Sequence, residues 1–273
     1  MTLTSIRLPP RKLRFPPDLN FIAPVELGDL IRVGGQSDGG YVIPSMLVEK
    51  TDILISFGIS KDWSFEANFL SLRPGLQIHA YDHTISRAYF MRHAWRSVDG
   101  RLFKKSGIRE LRKRVRLALD YPRFFSGNVK HYQQRIHNRK DLDLDATIED
   151  VLARTNSEKI FIKMDIEGSE YRVISDLLKY SSRILGMVIE FHDTDPLRKT
   201  FVSSVKNLME KYEIAHIHGN NFGYVSIDNV PESMEITFIR KEFAFYNGRR
   251  TKLPIPGLDR PNSPTNPDFC IFF

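Results

Sequence analysis

Cysteine is nearly absent from this sequence, since its 273 residues include one, Cys270. A single thiol excludes disulfide bonds within the chain, zinc sites with several thiolates and iron–sulfur clusters. Long apolar runs are also lacking, because no window approaches the roughly 18 apolar residues of a membrane-spanning helix. Residues 1–17 contain arginines and prolines but no apolar signal core. We therefore expect a cytoplasmic protein that does not bind membranes.

Acidic residues are scarce in one segment in particular. The formal net charge is +7, but Arg92–Arg116 holds ten lysines and arginines against two acids, so the remainder is close to neutral. The stretch 92–121, which contains this segment, predicts an amphipathic, strongly basic helix, because its apolar residues share one helical face. Those residues are Ile108, Leu111, Val115 and Leu119. Such a helix is typical either of a solvated surface or of a phosphate-binding site, with Arg109 and Arg112 as candidate ligands.

Length and composition favour one α/β domain with additions. A hydrophobic content of 41% in 273 residues is enough for a substantial core. We expect a single domain over residues 1–273 with a proline-rich N-terminal arm (1–24), a basic helical insertion (about 92–121) and an irregular C-terminal tail (254–273). The apolar end of the tail is expected to dock on the body or on a second subunit, which leaves a homo-oligomer open.

The stretch Lys159–Asp193 organises the predicted fold. Two apolar runs enclose a helical segment (171–180), which predicts two parallel strands joined by a crossover helix. The first run ends at Asp165 and the second at Glu190 and His192. Ligands lie beyond the carboxyl ends of parallel strands, and residues two apart share a face. These side chains are therefore candidates for one catalytic site, although each could instead cap a helix or lie solvated.

A second pair of strand ends predicts a cofactor site. The strand Asp52–Phe57 runs into a turn at Gly58, and a helix follows from about Ser64. The amides at the start of such a helix are available to polar groups of a ligand. The next strand, Gln77–Tyr81, ends at Asp82, where an acid is placed to accept hydrogen bonds from ribose hydroxyls.

A glycine-rich turn and a histidine-bearing strand complete the candidate features. Residues 34–40 include four glycines, which suit either a plain hairpin or a loop that approaches a ligand. His216 and His218 share one strand face, and polar residues at 218–221 follow at the strand end. The run 234–240 predicts a returning strand, so the two strands would form the antiparallel edge of a mostly parallel sheet.

A family resemblance becomes visible in these strings. The sequence Lys-Met-Asp-Ile-Glu-Gly-Ser-Glu-Tyr at 163–171, with Thr-Ile-Glu-Asp at 147–150 before it and Ile-Glu-Phe-His at 189–192 after it, resembles the signature of FkbM-like methyltransferases. The similarity extends over about 34–240. It implies the α/β, Rossmann-like class I methyltransferase fold, with a mostly parallel seven-stranded sheet, helices on both faces and an antiparallel edge strand.

The resemblance also implies S-adenosylmethionine as the cofactor. The cofactor-binding residues are expected to be Gly39, Gly40, Tyr41, Phe57, Gly58, Ser60, Ser64, Asp82, His83 and Asp165. The expected substrate-binding residues are Glu167, Asn220, Asn221, Arg109 and Arg112. The glycine loop departs from the family's usual Asp-x-Gly-Ala-Asn-x-Gly, since Ser56, Ser60 and Asp62 stand at its acid, asparagine and last glycine.

Methyl transfer to an alcohol requires in-line alignment and removal of a proton. The expected catalytic residues are Asp165, Glu190, His192 and His218, with the two histidines as candidate bases. The same four side chains could alternatively bind Mg²⁺ or Mn²⁺, which would orient and acidify a hydroxyl.

Two further absences reduce the range of methyl acceptors that we expect. No Asp/Asn-Pro-Pro-Tyr-like string, typical of amino methylation of nucleic-acid bases, follows the strand, and Cys270 is badly placed for cytosine methylation. We therefore expect O-methylation of a saccharide, with the basic helix binding the diphosphate of a nucleotide-linked sugar in polysaccharide or natural-product biosynthesis. An RNA-directed methyltransferase is the alternative, in which the same helix binds nucleic acid. A dehydrogenase would need the missing Gly-x-Gly-x-x-Gly, and a silent binding module leaves the polar strand ends unexplained.

Overall fold

The computed structural model describes residues 9–96 and 105–273. Its strands are β1 (Arg11–Arg14), β2 (Leu30–Gly34), β3 (Gly40–Pro44), β4 (Ile53–Phe57), β5 (Gln77–Tyr81), β6 (Val129–Tyr132), β7 (Arg135–Ile136), β8 (Asp145–Ala146), β9 (Ile160–Met164), β10 (Ile184–Phe191), β11 (Tyr212–Gly219), β12 (Met234–Arg240), β13 (Lys252–Leu253) and β14 (Phe269–Phe272). Its α-helices are α1 (Ser45–Lys50), α2 (Ser64–Leu72), α3 (Arg87–Arg96), α4 (Lys105–Phe124), α5 (Ile148–Leu152), α6 (Glu170–Leu178) and α7 (Arg198–Met209). Short 3-10 helices occupy Pro17–Ile22 and Lys241–Phe243.

The central sheet joins seven strands of the described chain in the order β6-β5-β4-β9-β10-β12-β11. The strands from β6 to β10 pair in parallel, whereas β12 is antiparallel to both β10 and β11. The predicted mostly parallel seven-stranded sheet is confirmed, as is the crossover through α6 between β9 and β10. The antiparallel strand β12 lies next to the edge, and β11 forms the edge itself.

Helices cover both faces of this sheet, as predicted. On one face, Ile162 of β9 belongs to a buried cluster with Val173 of α6 and Phe201 of α7. On the other face, Phe161 of β9 shares a cluster with Phe65 of α2. Successive residues of a strand point to opposite faces, so a strand covered on both sides needs continuous apolarity. This requirement explains the uninterrupted apolar runs of the central strands.

Local sequence signals set several element boundaries. Helix α5 begins with a capping box: the Thr147 hydroxyl accepts from the Asp150 amide at 3.3 Å, and the Asp150 carboxylate accepts from the Thr147 amide at 2.9 Å. Two amide donors at the helix start are thereby satisfied. The start of α2 and the bounds of β5 and β12 also agree with the sequence predictions.

Segments near both ends of the chain meet in a small sheet of the described residues, ordered β1-β14-β13. Strand β14 pairs in parallel with β1 and antiparallel with β13, and Leu13 and Ile271 are buried in the main core. The expectation of an irregular tail over 254–273 is therefore wrong for Phe269–Phe272. Pairing with β1 satisfies the backbone of that segment, and this partner lies far away in the sequence.

The basic helix is present as α4, but its packing face differs from the prediction. Ile108, Val115 and Leu119 are 48%, 39% and 53% exposed, whereas Ala118 and Tyr121 are buried. The buried pair belongs to a cluster that includes residues of α3 and the loop before it. The helix thus packs on α3 through a face offset from the predicted apolar stripe.

Part of the predicted insertion, residues 97–104, lies outside the described residues. No helix in the described part of the chain has both the length and the apolarity to cross a membrane.

Candidate active site

The carboxyl ends of β4, β5, β9 and β10 lie side by side at one edge of the sheet. A first cavity of about 390 Å³ lies around Gly58, Asp82 and Asp165. A second cavity of about 350 Å³ lies around Asp165, Glu190 and His192. Asp165 and Glu167 line both cavities, so the two are adjacent. This is the edge at which ligands bind in open α/β sheets.

The turn after β4 passes directly over the end of β9. Gly58 has a φ of +73°, and a Cβ at this position would lie 1.6 Å from the backbone oxygen of Asp165. Only glycine fits so close an approach in this conformation. The buried Lys163 side chain donates from Nζ to the Gly58 carbonyl oxygen, and Nζ lies 3.7 Å from Asp165 Oδ2. A single ammonium group therefore ties the turn to the strand end beneath it.

Asp82 holds the same turn from the β5 side. One carboxylate oxygen accepts from the amides of Ile59 and Ser60 at 3.2 and 2.7 Å. The other accepts from the Thr84 amide at 2.7 Å and from its hydroxyl at 2.6 Å. Burial by itself would raise the pKa of Asp82, but these hydrogen bonds lower it. Asp82 lines the first cavity as an ionised group, with most of its accepting capacity already used.

Half of the predicted cofactor-binding set lies together. The members that line the first cavity are Gly58, Ser60, Asp82, His83 and Asp165. The members that do not are Gly39, Gly40, Tyr41, Phe57 and Ser64. Tyr41 and Phe57 are core residues, because their side chains point into the layers on either side of the sheet. Sequence reasoning missed the lining residues 134–136, since only the pairing of β6 with β5 brings them there.

The second cavity brings together three of the predicted catalytic residues. His192 Nε2 lies 3.8 Å from Asp165 Oδ1 and 3.8 Å from Glu190 Oε1. His192 Nδ1 lies 3.1 Å from Oε1 of the fully buried Glu170, which also accepts from the Ile166 amide at 3.0 Å. Glu170 thereby turns Nε2 towards the other two carboxylates.

Glu190 is nearly enclosed, with 5% of its side chain exposed. Its Oε1 accepts from Asn220 Nδ2 at 2.8 Å and from Ser233 Oγ at 2.7 Å. Burial raises the pKa of Glu190 to about 8, and the charges of Asp165 and Glu235 add to this increase. Glu190 is therefore a carboxyl group that accepts a proton readily near neutral pH.

The pKa of His192 is also raised, which favours the positively charged form of its ring. Burial by itself would lower its pKa, but the hydrogen bond to Glu170 and the charges of Glu190 and Asp165 raise it to about 9. The cluster of Asp165, Glu190 and His192 thus places two groups that bind protons readily, Glu190 and His192, beside the carboxylate that lines both cavities. Such perturbed groups in a cleft are typical of a functional site.

His218 does not join this cluster, which corrects the prediction that it shares the site. It is 5% exposed, with Nδ1 3.4 Å from Glu235 Oε2 and Nε2 3.3 Å from Asp268 Oδ1. Burial alone would lower its pKa, but Asp268 and Glu235 raise it well above its ordinary value, so the ring carries a proton and cannot act as a base. Its partner Asp268 comes from the C-terminal tail, which the strand pattern does not predict.

The predicted substrate-binding residues divide in the same way. Glu167 and Asn220 line the second cavity. Asn221 does not, because its side-chain amide donates to backbone carbonyls of the tail segment 263–267. Arg109 and Arg112 are exposed on α4 and are not among the described residues that line either cavity. The structure therefore corrects the assignment of Asn221 to the acceptor, whereas diphosphate binding by the two arginines stays a prediction.

The chain is similar to one known protein family and to several solved structures. Residues 130–225 match the methyltransferase FkbM domain. No curated protein sequence matches the chain. Similar solved structures include a precorrin-6y C5,15-methyltransferase from Geobacter metallireducens GS-15, at 14% identity over 72% of this chain and 87% of that one, with a TM-score of 0.37. The fibrillarin/Nop5p complex is similar at 12% identity over 84% and 100%, with a TM-score of 0.37. The plantazolicin methyltransferase BpumL in complex with SAH is similar at 10% identity over 72% and 80%, with a TM-score of 0.33.

Proposed function

Because residues 130–225 belong to the methyltransferase FkbM domain family and the sheet has the class I strand order, we propose that this S-adenosylmethionine-dependent methyltransferase O-methylates a saccharide hydroxyl. The observation that carries the proposal is that Asp165 lines both cavities. A methyl donor in the first cavity and a hydroxyl in the second would meet at this residue.

The first cavity suits the cofactor. Its volume of about 390 Å³ falls within the roughly 300–1,000 Å³ of small-molecule sites. The turn at Gly58 brings backbone close to the ligand, where a larger residue would collide with Asp165. The carboxylates of Asp82 and Asp165 also favour a ligand with a positively charged sulfonium group.

The second cavity suits a neutral polyol. Its described lining includes the carboxylates of Asp38, Glu167, Glu190 and Glu232 and the amide of Asn220. Hydroxyl groups can donate to carboxylates and accept from an amide, as sugars do. Phosphate beside the reacting hydroxyl would be repelled by these acids, so the diphosphate of a nucleotide-linked sugar would have to lie outside the cavity.

The reaction follows from this arrangement. When bound, S-adenosylmethionine supplies an electrophilic methyl group: a lone pair of the hydroxyl oxygen forms the new C–O bond, the C–S bond breaks with its electrons passing to sulfur, and S-adenosylhomocysteine remains. The hydroxyl proton passes to a carboxylate that lines the second cavity. Asp165, Glu190 and His192 hold the hydroxyl in line and activate it, which is the part of the reaction that the protein must supply.

The test is incubation with S-adenosylmethionine and separate panels of neutral saccharides, nucleotide-linked sugars and RNA, scored by mass spectrometry for the gain of one methyl group. We expect a saccharide product. His192→Gln should lower turnover by about 100-fold or more, because a side chain that holds the hydroxyl in line for attack is replaced. Its affinity for S-adenosylhomocysteine should be unchanged, because His192 does not line the first cavity.

Asp193→Asn is the matched control. Asp193 follows His192 but is not among the described residues lining either cavity, and its φ of +54° suits asparagine. This variant should keep the wild-type rate. Methylation of RNA but of no saccharide would overturn the proposal, as would equal rates for the His192→Gln and wild-type proteins.

A further inference from the structure

Asp165, Glu190 and His192 place three ligand atoms around one point. One oxygen from each acid and one ring nitrogen lie within 4.8 Å of one another. The two distances from His192 Nε2, 3.8 Å to Asp165 Oδ1 and 3.8 Å to Glu190 Oε1, are too long for hydrogen bonds. They are shorter than the roughly 4.2 Å that separates two ligand atoms on opposite sides of an ion with bonds of about 2.1 Å. The three groups converge without touching.

The other ring nitrogen of His192, Nδ1, contacts a buried carboxylate. His192 Nδ1 lies 3.1 Å from Oε1 of Glu170, which is fully buried. Metal-binding histidines almost always donate their other ring N–H to a carboxylate or carbonyl, which fixes the ring and raises its basicity. The Tyr171 hydroxyl also donates to the His192 carbonyl oxygen at 2.6 Å, so backbone and ring are both held.

Glu190 adds an oxygen without a partner. Its Oε1 accepts from Asn220 and Ser233, but its Oε2 makes no hydrogen bond to the described residues. The side chain is 5% exposed and lines the second cavity. The side chain is enclosed, but this oxygen faces the cavity, where it is free to bind a ligand.

The charges around this point favour a cation. Asp38, Glu167 and Glu232 line the same cavity, and its described lining contains no lysine or arginine. The nearest ammonium group, Lys163 Nζ, lies 3.7 Å from Asp165 Oδ2 and is also committed to the Gly58 carbonyl. One monovalent cofactor beside so many carboxylates leaves the cavity with excess negative charge.

We propose that Asp165, Glu190 and His192 bind a divalent cation of the Mn²⁺ or Mg²⁺ type, which holds the acceptor hydroxyl in the second cavity. Two carboxylates and one imidazole form a mainly oxygen donor set, which suits these ions. Glu170 is then a positioning residue that orients His192. His218, which the sequence analysis included in the metal site, is excluded by its contacts with Glu235 and Asp268.

The role of the ion rests on the proposed O-methyl transfer, whereas its binding does not. The cation polarises the hydroxyl and lowers the cost of losing its proton, which passes to Glu167, the further carboxylate whose Oε2 lies 3.7 Å from His192 Nε2. The exposed side chain of Glu167 can then release the proton to solvent. The new C–O bond forms and the C–S bond breaks as described above.

The experiment is titration of the full-length, metal-free protein with Mn²⁺, in the presence of S-adenosylhomocysteine, followed by calorimetry and electron paramagnetic resonance. We expect one site in the wild type. Asp165→Asn and His192→Gln should abolish it, and Glu170→Gln should weaken it by about 10–100-fold, as changes behind a ligand do. Asp193→Asn, which removes the same charge beside the cluster, should bind Mn²⁺ like the wild type. Circular dichroism would confirm that each variant is folded.

The outcomes separate this inference from the proposed function. Absence of Mn²⁺ binding by the wild type overturns the metal site, and so does equal binding by the folded His192→Gln variant. Binding of Mn²⁺ combined with full methyl transfer in excess EDTA overturns the role of the ion but leaves the methyl transfer standing. Binding of Mn²⁺ without methylation of any saccharide supports the metal site and refutes the proposed function.

Discussion

Several buried charged residues beneath the two cavities position the residues that line those cavities. Glu170 is fully buried and orients His192, while Lys163, 5% exposed, fixes the carbonyl of Gly58. Beneath them, the Ser56 hydroxyl donates to the carboxylate of Glu66, which is 1% exposed. Burying charge costs solvation energy, so these groups are best explained by the positions they impose on the residues above them.

His79 gives a pH-dependent prediction for stability. It is 4% exposed on β5, its Nδ1 has no hydrogen-bond partner among the described residues, and burial, aided by Lys130 and Arg154, lowers its pKa to about 4. Below pH 6.5 the unfolded chain binds a proton that the folded chain does not, so its stability should fall as the pH drops from 6.5 towards 4. Between pH 7 and 5, the wild type should lose on the order of 1 kcal/mol more than His79→Asn.

Urea unfolding of both proteins at the two pH values would measure this difference. The variant itself serves as the reference, because all other titrating groups are shared. Parallel losses in the two proteins would show that His79 takes up its proton in the folded state.

The turn between β4 and α2 gives the first cavity its shape. Its path is fixed from below by Lys163 and the end of β9, and from the side by the Asp82 carboxylate at the end of β5. Three neighbouring strands therefore contribute to a single loop. A loop held in this way is preorganised for a ligand, because little conformational entropy remains to be lost on binding.

Gly58→Ala should disrupt this turn, and Gly75→Ala is its matched control. Both glycines have positive φ values, +73° and +86°, but an added Cβ collides with Asp165 at the first and meets nothing within 4 Å at the second. The control should therefore lose about 1–2 kcal/mol of stability from backbone strain alone. Gly58→Ala should lose more and should no longer bind S-adenosylhomocysteine.

Chemical unfolding and calorimetric titration of the two variants provide the comparison. Wild-type cofactor affinity in folded Gly58→Ala would contradict the close approach of the turn to β9.

Segments near the two ends of the described chain stabilise the side of the molecule that carries the second cavity. The β1-β14-β13 sheet packs Leu13 and Ile271 into the main core. Before β14, Asn262 Nδ2 donates to Glu235 Oε1 at 2.6 Å and to Asp38 Oδ1 at 3.1 Å. Asp38 lines the second cavity, so the tail supports part of the acceptor site.

Strand β14 should therefore contribute to global stability. Ile271→Ala removes a side chain that is 1% exposed, and should lower the free energy of unfolding by about 2–5 kcal/mol. Cys270→Ala changes the neighbouring residue, which points to the other side and is half-buried, so it should change stability by less than about 1 kcal/mol. Guanidinium unfolding at one temperature would compare them. Equal, small effects would show that the tail is not part of the cooperative unit.

The sequence by itself determined the central elements and the main catalytic candidates. Continuous apolar runs identified β4, β9 and β10, because this signal comes from residues that are close in the chain. Asp165, Glu190 and His192 could be placed together because parallel strands end at one edge and the strand period is two.

Only the tertiary structure decided which residues surround these candidates and which segments pack together. Asp268 of the C-terminal tail contacts His218. Helix α4 packs through Ala118 instead of through its apolar stripe. Part of the tail forms a strand because it pairs with β1. In each case the partner is distant in sequence or is selected by the packing of several elements at once. Local periodicity specifies the conformation of a segment, but the neighbour that a segment finds depends on the packing of the whole chain.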